Sequence, residues 1–143
     1  MSEKITLSFK PKAVTKRLLS VLTKRGADVI ENRYGLGSKA TRMTLDAIGK
    51  KYDITRERVR QIENHSIGAV RASEAYTGFT AQWEDLKKLL AALGGILAEE
   101  TILSELAKSQ EDKNHVVFLL TVGRHFNDRN EDSDFRSRWF VDE

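Results

Sequence analysis

Apolar residues recur at helical spacing along most of this 143-residue chain, with a turn signal after each helical segment. Following Pro11, the apolar positions Val14 and Leu18 lie about one turn apart and predict a first helix. A second helix is predicted over about 27–34, and the two glycines within residues 35–38 predict the turn that ends it. The pattern predicts a mainly α-helical fold.

Two further helices, over about 44–52 and 55–72, are predicted to be joined by a tight turn. Thr44 suits the N-cap of the first one, because its hydroxyl can accept an otherwise unpaired backbone N–H. Gly49 stands where two helices have to approach closely, and Asp53 stands at a turn position that needs left-handed backbone. Together these features predict a helix-turn-helix.

The C-terminal part of the sequence combines helical segments with short strands. Helices are predicted at about 81–93, 99–109 and 113–126, with strands at 96–98 and within 135–141, which is the order of a winged helix. The predicted fold is therefore mainly α, a helix-turn-helix domain followed by a small winged-helix-like α+β domain. The predicted boundaries are an N-terminal arm at 1–11, a DNA-binding domain at 12–74, a linker at 75–80 and an accessory domain at 81–143.

Charge is distributed unevenly along the chain, although the net charge is only +3. Residues 1–78 contain 16 basic and 8 acidic residues, a net charge of +8, whereas residues 79–143 contain 8 basic and 13 acidic residues, a net charge of −5. A basic surface suits the phosphate backbone of nucleic acid. We therefore expect the N-terminal half to bind double-stranded DNA and the acidic half to bind a protein partner.

The composition argues against several classes of site. The chain has no cysteine, which excludes disulfides, cysteine–zinc sites and thiol nucleophiles and fits a cytoplasmic protein. Its three histidines, His65, His115 and His125, have no partner at metal-ligand spacing. No apolar run approaches the roughly 20 residues that span a bilayer. We expect neither a metal, nor a cofactor, nor a membrane partner.

The second motif helix, over 55–72, has two faces of different chemistry. One face carries apolar residues that we expect in the core: Val59, Ile62, Ile67 and Val70. The other face carries the candidate base-contacting residues: Arg56, Glu57, Arg60 and Gln61, together with Asn64. Arginine can reach guanine bidentately, glutamine can reach adenine, and glutamate can accept from cytosine. The helix is therefore predicted to lie in the major groove of DNA.

Several cations near this motif are candidate phosphate contacts, which set affinity and register rather than sequence preference. They are Arg33, Lys39, Arg42, Lys50, Lys51 and Arg58. The alternative is a solvated helix with internal charge pairs. Arg56 and Arg60 argue against that alternative, because like charges four residues apart cost an isolated helix a few tenths of a kcal/mol.

Three stretches of the sequence, 32–36, 44–52 and 54–63, resemble region four of bacterial housekeeping sigma factors. The run Thr-Arg-Glu-Arg-Val-Arg-Gln-Ile-Glu, from Thr55 to Glu63, is highly specific to that family, and the likeness covers about residues 12–72. In that family, region four reads the −35 promoter element and docks on the flap of the polymerase β subunit. The resemblance implies promoter DNA and core RNA polymerase as partners, in a bacterial or phage-type, nucleoid-associated setting.

By motif position, the resemblance assigns base reading to the same four residues of the second motif helix. It adds Thr44, Leu45 (through its backbone) and Thr55 to the candidate phosphate contacts. The sequence departs from the family at 64–71, which is less basic and contains Gly68. The regions that bind the −10 element are not in this sequence, so we do not expect a complete sigma factor unless the chain is a fragment of one.

The second half resembles the winged-helix module of the delta subunit of bacterial RNA polymerase, of the HARE-HTH type. The likeness is carried by residues 95–102, 124–126 and 135–141. In a winged helix, Arg136 and Arg138 would lie on the wing and could touch a DNA backbone. The alternative, in which Trp139 and Phe140 close the core and the arginines are solvated, stays open.

Three classes of function follow from the sequence. The first is a non-enzymatic, sequence-specific transcription factor that reads a −35-like element through helix 55–72, together with RNA polymerase. The second is a polymerase-associated interaction protein, with a sigma-like docking, anti-sigma or co-sigma role and only non-specific DNA contact. The third is an enzyme acting on nucleic acid, for which neither a recognisable carboxylate pair nor a Gly-rich phosphate loop is present.

Overall fold

The computed structural model describes residues 9–92, 96–98, 109–123, 126–130 and 137–141, and within these ranges the chain is mainly α-helical. The helices are α1 (Pro11–Leu19), α2 (Lys24–Tyr34), α3 (Leu45–Tyr52), α4 (Arg56–Arg71), α5 (Glu74–Gly78), α6 (Thr80–Ala92) and α7 (Gln110–Val122). The strands are β1 (Ile96–Ala98), β2 (Phe126–Asn130) and β3 (Ser137–Val141). They form an antiparallel sheet in the order β1-β3-β2, in which Leu97 and Asp128 both pair with Trp139.

Threonine side chains fix where the helices of the N-terminal half begin. Thr23, Thr44 and Thr55 are the N-caps of α2, α3 and α4, and each hydroxyl accepts a backbone N–H at 3.1 Å from three residues on. Between α3 and α4, Asp53 has left-handed backbone, with φ of 55° and ψ of 49°. The predicted helix-turn-helix, with its two caps and its left-handed turn residue, is confirmed. Helix α2 begins earlier than predicted because Thr23 caps it.

Gly49 of α3 lies against the turn that leads into α4. The Ile54 amide donates to the Gly49 carbonyl at 2.9 Å, which closes the turn. A Cβ placed on Gly49 would lie 2.7 Å from the carbonyl oxygen of Ile54, well inside contact distance. The prediction that this glycine permits a close helix approach is confirmed.

The described residues bury two apolar clusters. The smaller cluster lies under the helix-turn-helix and contains Val29, Leu45, Ile48 and Val59. The larger cluster draws on α1, α2, α4, α5, α6 and α7, through residues such as Leu18, Ile30, Val70, Trp83 and Phe118. The larger cluster therefore joins residues from both of the predicted domains.

Helix α7 is the main contribution of the C-terminal half to this shared core. Its residues 114–120 are all buried, and it packs against α1, α2 and α4. At its C-terminal end, the Arg71 guanidinium donates to the carbonyl oxygens of Val122 at 3.0 Å and Thr121 at 2.8 Å. A cation that binds the last carbonyls of a helix also complements the helix dipole, so α4 caps α7.

Ionisable groups also lie in the contact between α7 and α1. Lys12 and Glu111 form an ion pair at 2.9 Å, and this contact lowers the pKa of the Glu111 carboxyl. Next to it, burial lowers the pKa of His115, an effect that nearby Glu111 partly opposes. The Nε2 atom of His115 lies 3.9 Å from the Glu111 carboxylate, which is too long for a hydrogen bond. The imidazole is therefore held neutral inside the core.

The structure corrects the predicted linker and several boundaries. Residues 75–80 are not an open linker: Ser73 caps α5, and Ala75 and Tyr76 of that helix are buried. The helix predicted over 113–126 begins and ends earlier, as α7, and the predicted N-terminal arm ends where Pro11 opens α1. The predicted helix over 99–109 lies outside the described residues apart from Ser109, which caps α7.

The winged-helix-like module stays a prediction. The observed helix α6, strand β1, helix α7 and strand β3 follow the predicted order of elements, with strands where 96–98 and 135–141 predicted them. Strand β2 was not predicted, because Phe126 was assigned to the preceding helix. Residues 124–125 and 131–136, which include Arg124, His125 and Arg136, lie outside the described part of the chain. Helix α7 is packed into the larger core, so its buried face is closed to DNA.

Candidate nucleic-acid interface

Helix α4 presents a polar face to solvent along its first two turns. The side chains of Arg56, Glu57 and Arg60 are 51%, 64% and 60% exposed, and Gln61 is exposed beside them. On the other side of the helix, Val59 and Val70 are fully buried. The four predicted base-contacting residues therefore share one accessible face at the N-terminal end of α4, where a recognition helix meets base edges.

The polar groups of this face pair with neighbouring side chains of α3 and α4. Arg56 lies 3.6 Å from Asp46, and Arg60 lies 3.5 Å from Glu57. Arg58 donates to the side-chain oxygen of Gln61 at 3.3 Å. Exposed pairs of this kind contribute about 0–1 kcal/mol each. DNA contacts can therefore replace them at small cost.

Arg33 is placed differently from the prediction. Only 8% of its side chain is exposed, and its Nε donates to Glu63 at 3.1 Å, with Glu63 itself only 14% exposed. This ion pair joins α2 to the inner side of α4. The phosphate contact of Arg33 stays a prediction, although in the structure its guanidinium lies between two helices rather than at the surface.

The N-terminus of α3 is the predicted backbone-binding end of the motif. Thr44 uses its hydroxyl to cap the Ala47 amide, and the Leu45 side chain is buried, so Leu45 offers only its backbone. Backbone N–H groups in the first turn of a helix are natural anion donors. The predicted role of Leu45 through its backbone fits this geometry.

Cations flank the helix-turn-helix on its exposed side. Lys50 and Lys51 are exposed in the last turn of α3, and Lys51 donates to the side-chain oxygen of Asn32 at 3.4 Å. Lys39 is exposed in the loop before α3, and Arg42 is half-buried there. At the start of α4, the Thr55 hydroxyl already caps the Arg58 amide, so a phosphate would have to share it.

Arg25 is a further basic residue of this surface that sequence reasoning missed. It lies in the first turn of α2, and its guanidinium stacks 4.5 Å from the ring centre of Tyr52. The helix was predicted to begin at about residue 27, which left Arg25 in a loop with no assigned role. The signal that could have placed it is Thr23, a cap residue just before a polar helical turn.

Arg25 also borders an open groove of about 470 Å³ between the N-terminus of α2 and α4. The groove is lined by Thr23, Arg25, Gly26, Arg58, Gln61, Ile62, His65 and Ser66. Two arginines and a helix N-terminus make it attractive to an anion. Since the groove adjoins the candidate base-contacting face of α4, its cations extend the candidate DNA surface beyond the helix-turn-helix itself.

The part of the chain that carries this geometry matches a known protein family. Residues 18–72 match the family model of Sigma-70, region 4. This region 4 segment runs from the last two residues of α1 through α4, and so includes the helix-turn-helix and the Arg25 groove. It ends before α5 and does not include α7.

Curated relatives align with the same part of the chain. The RNA polymerase sigma factor RpoD of Neisseria gonorrhoeae is 43% identical over 58 residues, which cover 41% of this chain and 9% of that protein. The RNA polymerase principal sigma factors HrdD of Streptomyces viridifaciens and Streptomyces coelicolor are 41% identical over 64 residues, 45% of this chain and 19% of theirs. The chain therefore spans less than a fifth of the length of these relatives.

Two other kinds of feature do not occur in the described ranges. Within them, no helix is long and apolar enough to cross a membrane. In the same ranges, no three histidine or acidic side chains come together in a way that could hold a metal ion.

Proposed function

We propose that this chain is a DNA-binding transcription protein whose region 4 segment reads a −35-like promoter element in the major groove. The observation that carries the proposal is the division of α4 into two faces. Its inner face is anchored by buried Val59 and Val70, while Arg56, Glu57, Arg60 and Gln61 share the exposed face. The match of residues 18–72 to Sigma-70, region 4 supports the same assignment.

In this proposal the four exposed residues discriminate between bases. A good bidentate base contact is worth about 1–3 kcal/mol against the wrong base. Arg25, Lys39, Lys50, Lys51 and Arg58 would bind backbone phosphates around them, together with Arg42, the cap residues Thr44 and Thr55 and the backbone of Leu45. Phosphate contacts fix register and give the affinity its salt dependence.

We also propose that the protein acts together with RNA polymerase and has no catalytic activity of its own. The support for this partner is the sigma-factor identity of the relatives that share the region 4 segment. Co-purification of the full chain with core RNA polymerase is the direct test. An acidic protein-binding role for the C-terminal half is part of the same proposal and rests on its net charge of −5.

The decisive experiment is a binding titration with two duplexes, one carrying the −35-like sequence TTGACA and one a scrambled version, at two salt concentrations. The Arg60→Ala variant tests base reading. Lys88→Ala is the matched control, because it also removes one exposed positive charge but lies on α6, outside the region 4 segment. We expect Arg60→Ala to lose sequence preference by about 1–3 kcal/mol and Lys88→Ala to keep it.

Equal binding of the wild-type protein to both duplexes, with a steep salt dependence, would contradict base reading. That outcome favours a polymerase-associated interaction protein with non-specific DNA contact. Preference for TTGACA that survives in Arg60→Ala would instead move the base-reading role to other residues of α4.

A further inference from the structure

One contact ties the C-terminal half directly to the loop that leads into the helix-turn-helix. Asn114, in the first half of α7, is fully buried. Its side-chain nitrogen donates to the carbonyl oxygen of Gly35 at 2.9 Å and to that of Ala40 at 3.1 Å. Its side-chain oxygen accepts from Gln110 at 2.9 Å. An asparagine amide has two N–H donors, and here both are used on the same loop.

The two carbonyl groups that Asn114 binds belong to residues with left-handed backbone. Gly35 ends α2 with φ of 66°, and Ala40 has φ of 53°, which is uncommon for a residue with a Cβ. A Cβ on Gly35 would lie 2.7 Å from the Asn114 nitrogen. Gly35 is therefore needed for two reasons, the left-handed turn and the approach of Asn114.

The loop that Asn114 fixes carries candidate phosphate contacts. Lys39 lies between the two bound carbonyls, Arg42 follows two residues after Ala40, and Thr44 then caps α3. Inside the loop, the Ala40 amide donates to Gly37 at 2.9 Å, which closes a turn but does not attach it to a helix. Asn114 attaches this turn to α7, while the Met43 amide attaches the end of the loop to α2 by donating to the Asn32 carbonyl at 2.9 Å.

Helix α7 is itself held firmly in place relative to the DNA-facing helices. Arg71 of α4 caps its C-terminal end, and Lys12 of α1 pairs with Glu111 near its N-terminal end. Between these points, residues 116–120 are buried in the larger core. Asn114 therefore lies on a helix that is held in place near both of its ends.

We propose that Asn114 is a positioning residue for DNA binding, which orders the loop from Leu36 to Met43 so that Lys39, Arg42 and the N-terminus of α3 face the DNA backbone together. This inference rests on the proposed function, and its ligand class is duplex DNA bound through backbone phosphates. A loop already ordered in the free protein does not lose that conformational entropy on binding. Asn114 thereby raises the DNA affinity through the loop, without itself touching DNA.

The test compares two alanine variants of α7 in the full chain. Asn114→Ala removes the hydrogen bonds to the loop, whereas Val117→Ala truncates a buried neighbour in the same helix that belongs to the larger core. Stability is measured by urea unfolding, DNA affinity by titration across salt concentrations, and loop order by hydrogen exchange of amides 36–43. Gln110→Ala, which removes only the bond to the Asn114 oxygen, is a milder variant at an exposed position.

We expect Asn114→Ala to speed hydrogen exchange in 36–43 more than Val117→Ala does at equal loss of stability. Its DNA affinity should fall, and the salt dependence should become shallower by about one unit for each phosphate that the loop no longer binds. Gln110→Ala should show a smaller change of the same kind. Adding Lys39→Ala to Asn114→Ala should then cost less affinity than Lys39→Ala costs alone, because the lysine is already misplaced.

Two results would overturn the inference. One is an unchanged rate of hydrogen exchange at amides 36–43 in Asn114→Ala, a measurement that does not involve DNA. The other is equal loss of DNA affinity in Asn114→Ala and Val117→Ala at matched stability, since that would mean only general loosening of the core. If the loop loosens selectively but the wild-type protein binds no DNA, the proposed function fails, and with it the role of Asn114 in DNA binding.

Discussion

The two glycines of the helix-turn-helix allow the closest test of this packing, because the same substitution should have opposite effects at the two positions. Both Gly49 in α3 and Gly68 in α4 are inside helices. Replacing glycine by alanine in a helix stabilises it by roughly 0.5–1 kcal/mol where nothing interferes. A Cβ on Gly68 has no atom within 4 Å, so Gly68→Ala should gain this full amount.

At Gly49 the new methyl group would meet the backbone. Its Cβ would lie 2.7 Å from the Ile54 carbonyl oxygen, whose position is fixed by the turn between α3 and α4. Overpacking of this kind typically costs about 1–3 kcal/mol, which exceeds the gain in helix propensity. We therefore expect Gly49→Ala to lower the free energy of unfolding by about 1–2 kcal/mol, and Gly68→Ala to raise it.

Urea and thermal unfolding of both variants measure the difference. For a chain of this size, 1 kcal/mol corresponds to roughly 3–4 °C in Tm, so the two variants should differ by about 5–10 °C. Opening of the turn should also weaken DNA binding in Gly49→Ala, since α3 and α4 would no longer keep their angle. A Gly49→Ala protein as stable as Gly68→Ala would refute the argument from close approach.

Two further predictions concern buried ionisable side chains. Burial lowers the pKa of His115 in the folded protein, so the unfolded chain takes up the proton first as the pH falls. The free energy of unfolding should therefore decrease below about pH 6.5, by at most about 1.4 kcal/mol per pH unit. Urea unfolding from pH 7.5 to 5.5 should show a weaker pH dependence in His115→Leu, whereas His65→Gln, at an exposed position, should keep it. Removing Arg33 alone should cost about 3–5 kcal/mol, because the mostly buried Glu63 carboxylate loses its ion pair with Arg33 at 3.1 Å. The double variant Arg33→Met/Glu63→Leu should recover most of this loss, and equal stability of the single and double variants would contradict the buried pair.

The helix-turn-helix could be predicted from the sequence because its determinants are local. The Thr44 and Thr55 hydroxyls each accept a backbone amide only three residues ahead, and Asp53 adopts left-handed backbone within the turn itself. The two faces of α4 follow from a helical period read over sixteen residues. None of these features depends on what the rest of the chain does.

The position of Arg33 could not be predicted in the same way. Its charge and its place near the motif favoured a phosphate contact, but its partner Glu63 lies 30 residues away in sequence. A tertiary ion pair overrode the local expectation. Arg25 shows the opposite case, in which the predicted helix start was too late and a residue of the groove between α2 and α4 was therefore missed.

The contribution of the C-terminal half was the least accessible to sequence reasoning. A change of charge sign near residue 78 favoured a domain boundary there. The apolar run in α7 predicted a buried helix but not what would bury it, and its contact between Asn114 and Gly35 spans 79 residues. Long-range packing of this kind leaves no local pattern in the chain.

The shared core also has a consequence during synthesis of the protein. Helices α1, α2 and α4 leave the ribosome before α7 does, because about 50 residues separate the ends of α4 and α7. At roughly 5–20 residues added per second, the apolar surfaces that α7 covers stay open for about 3–10 seconds. During that time the nascent chain carries α4, the helix proposed to contact DNA bases, on an unfinished core. Its open apolar surface is prone to aggregation until α7 has been made.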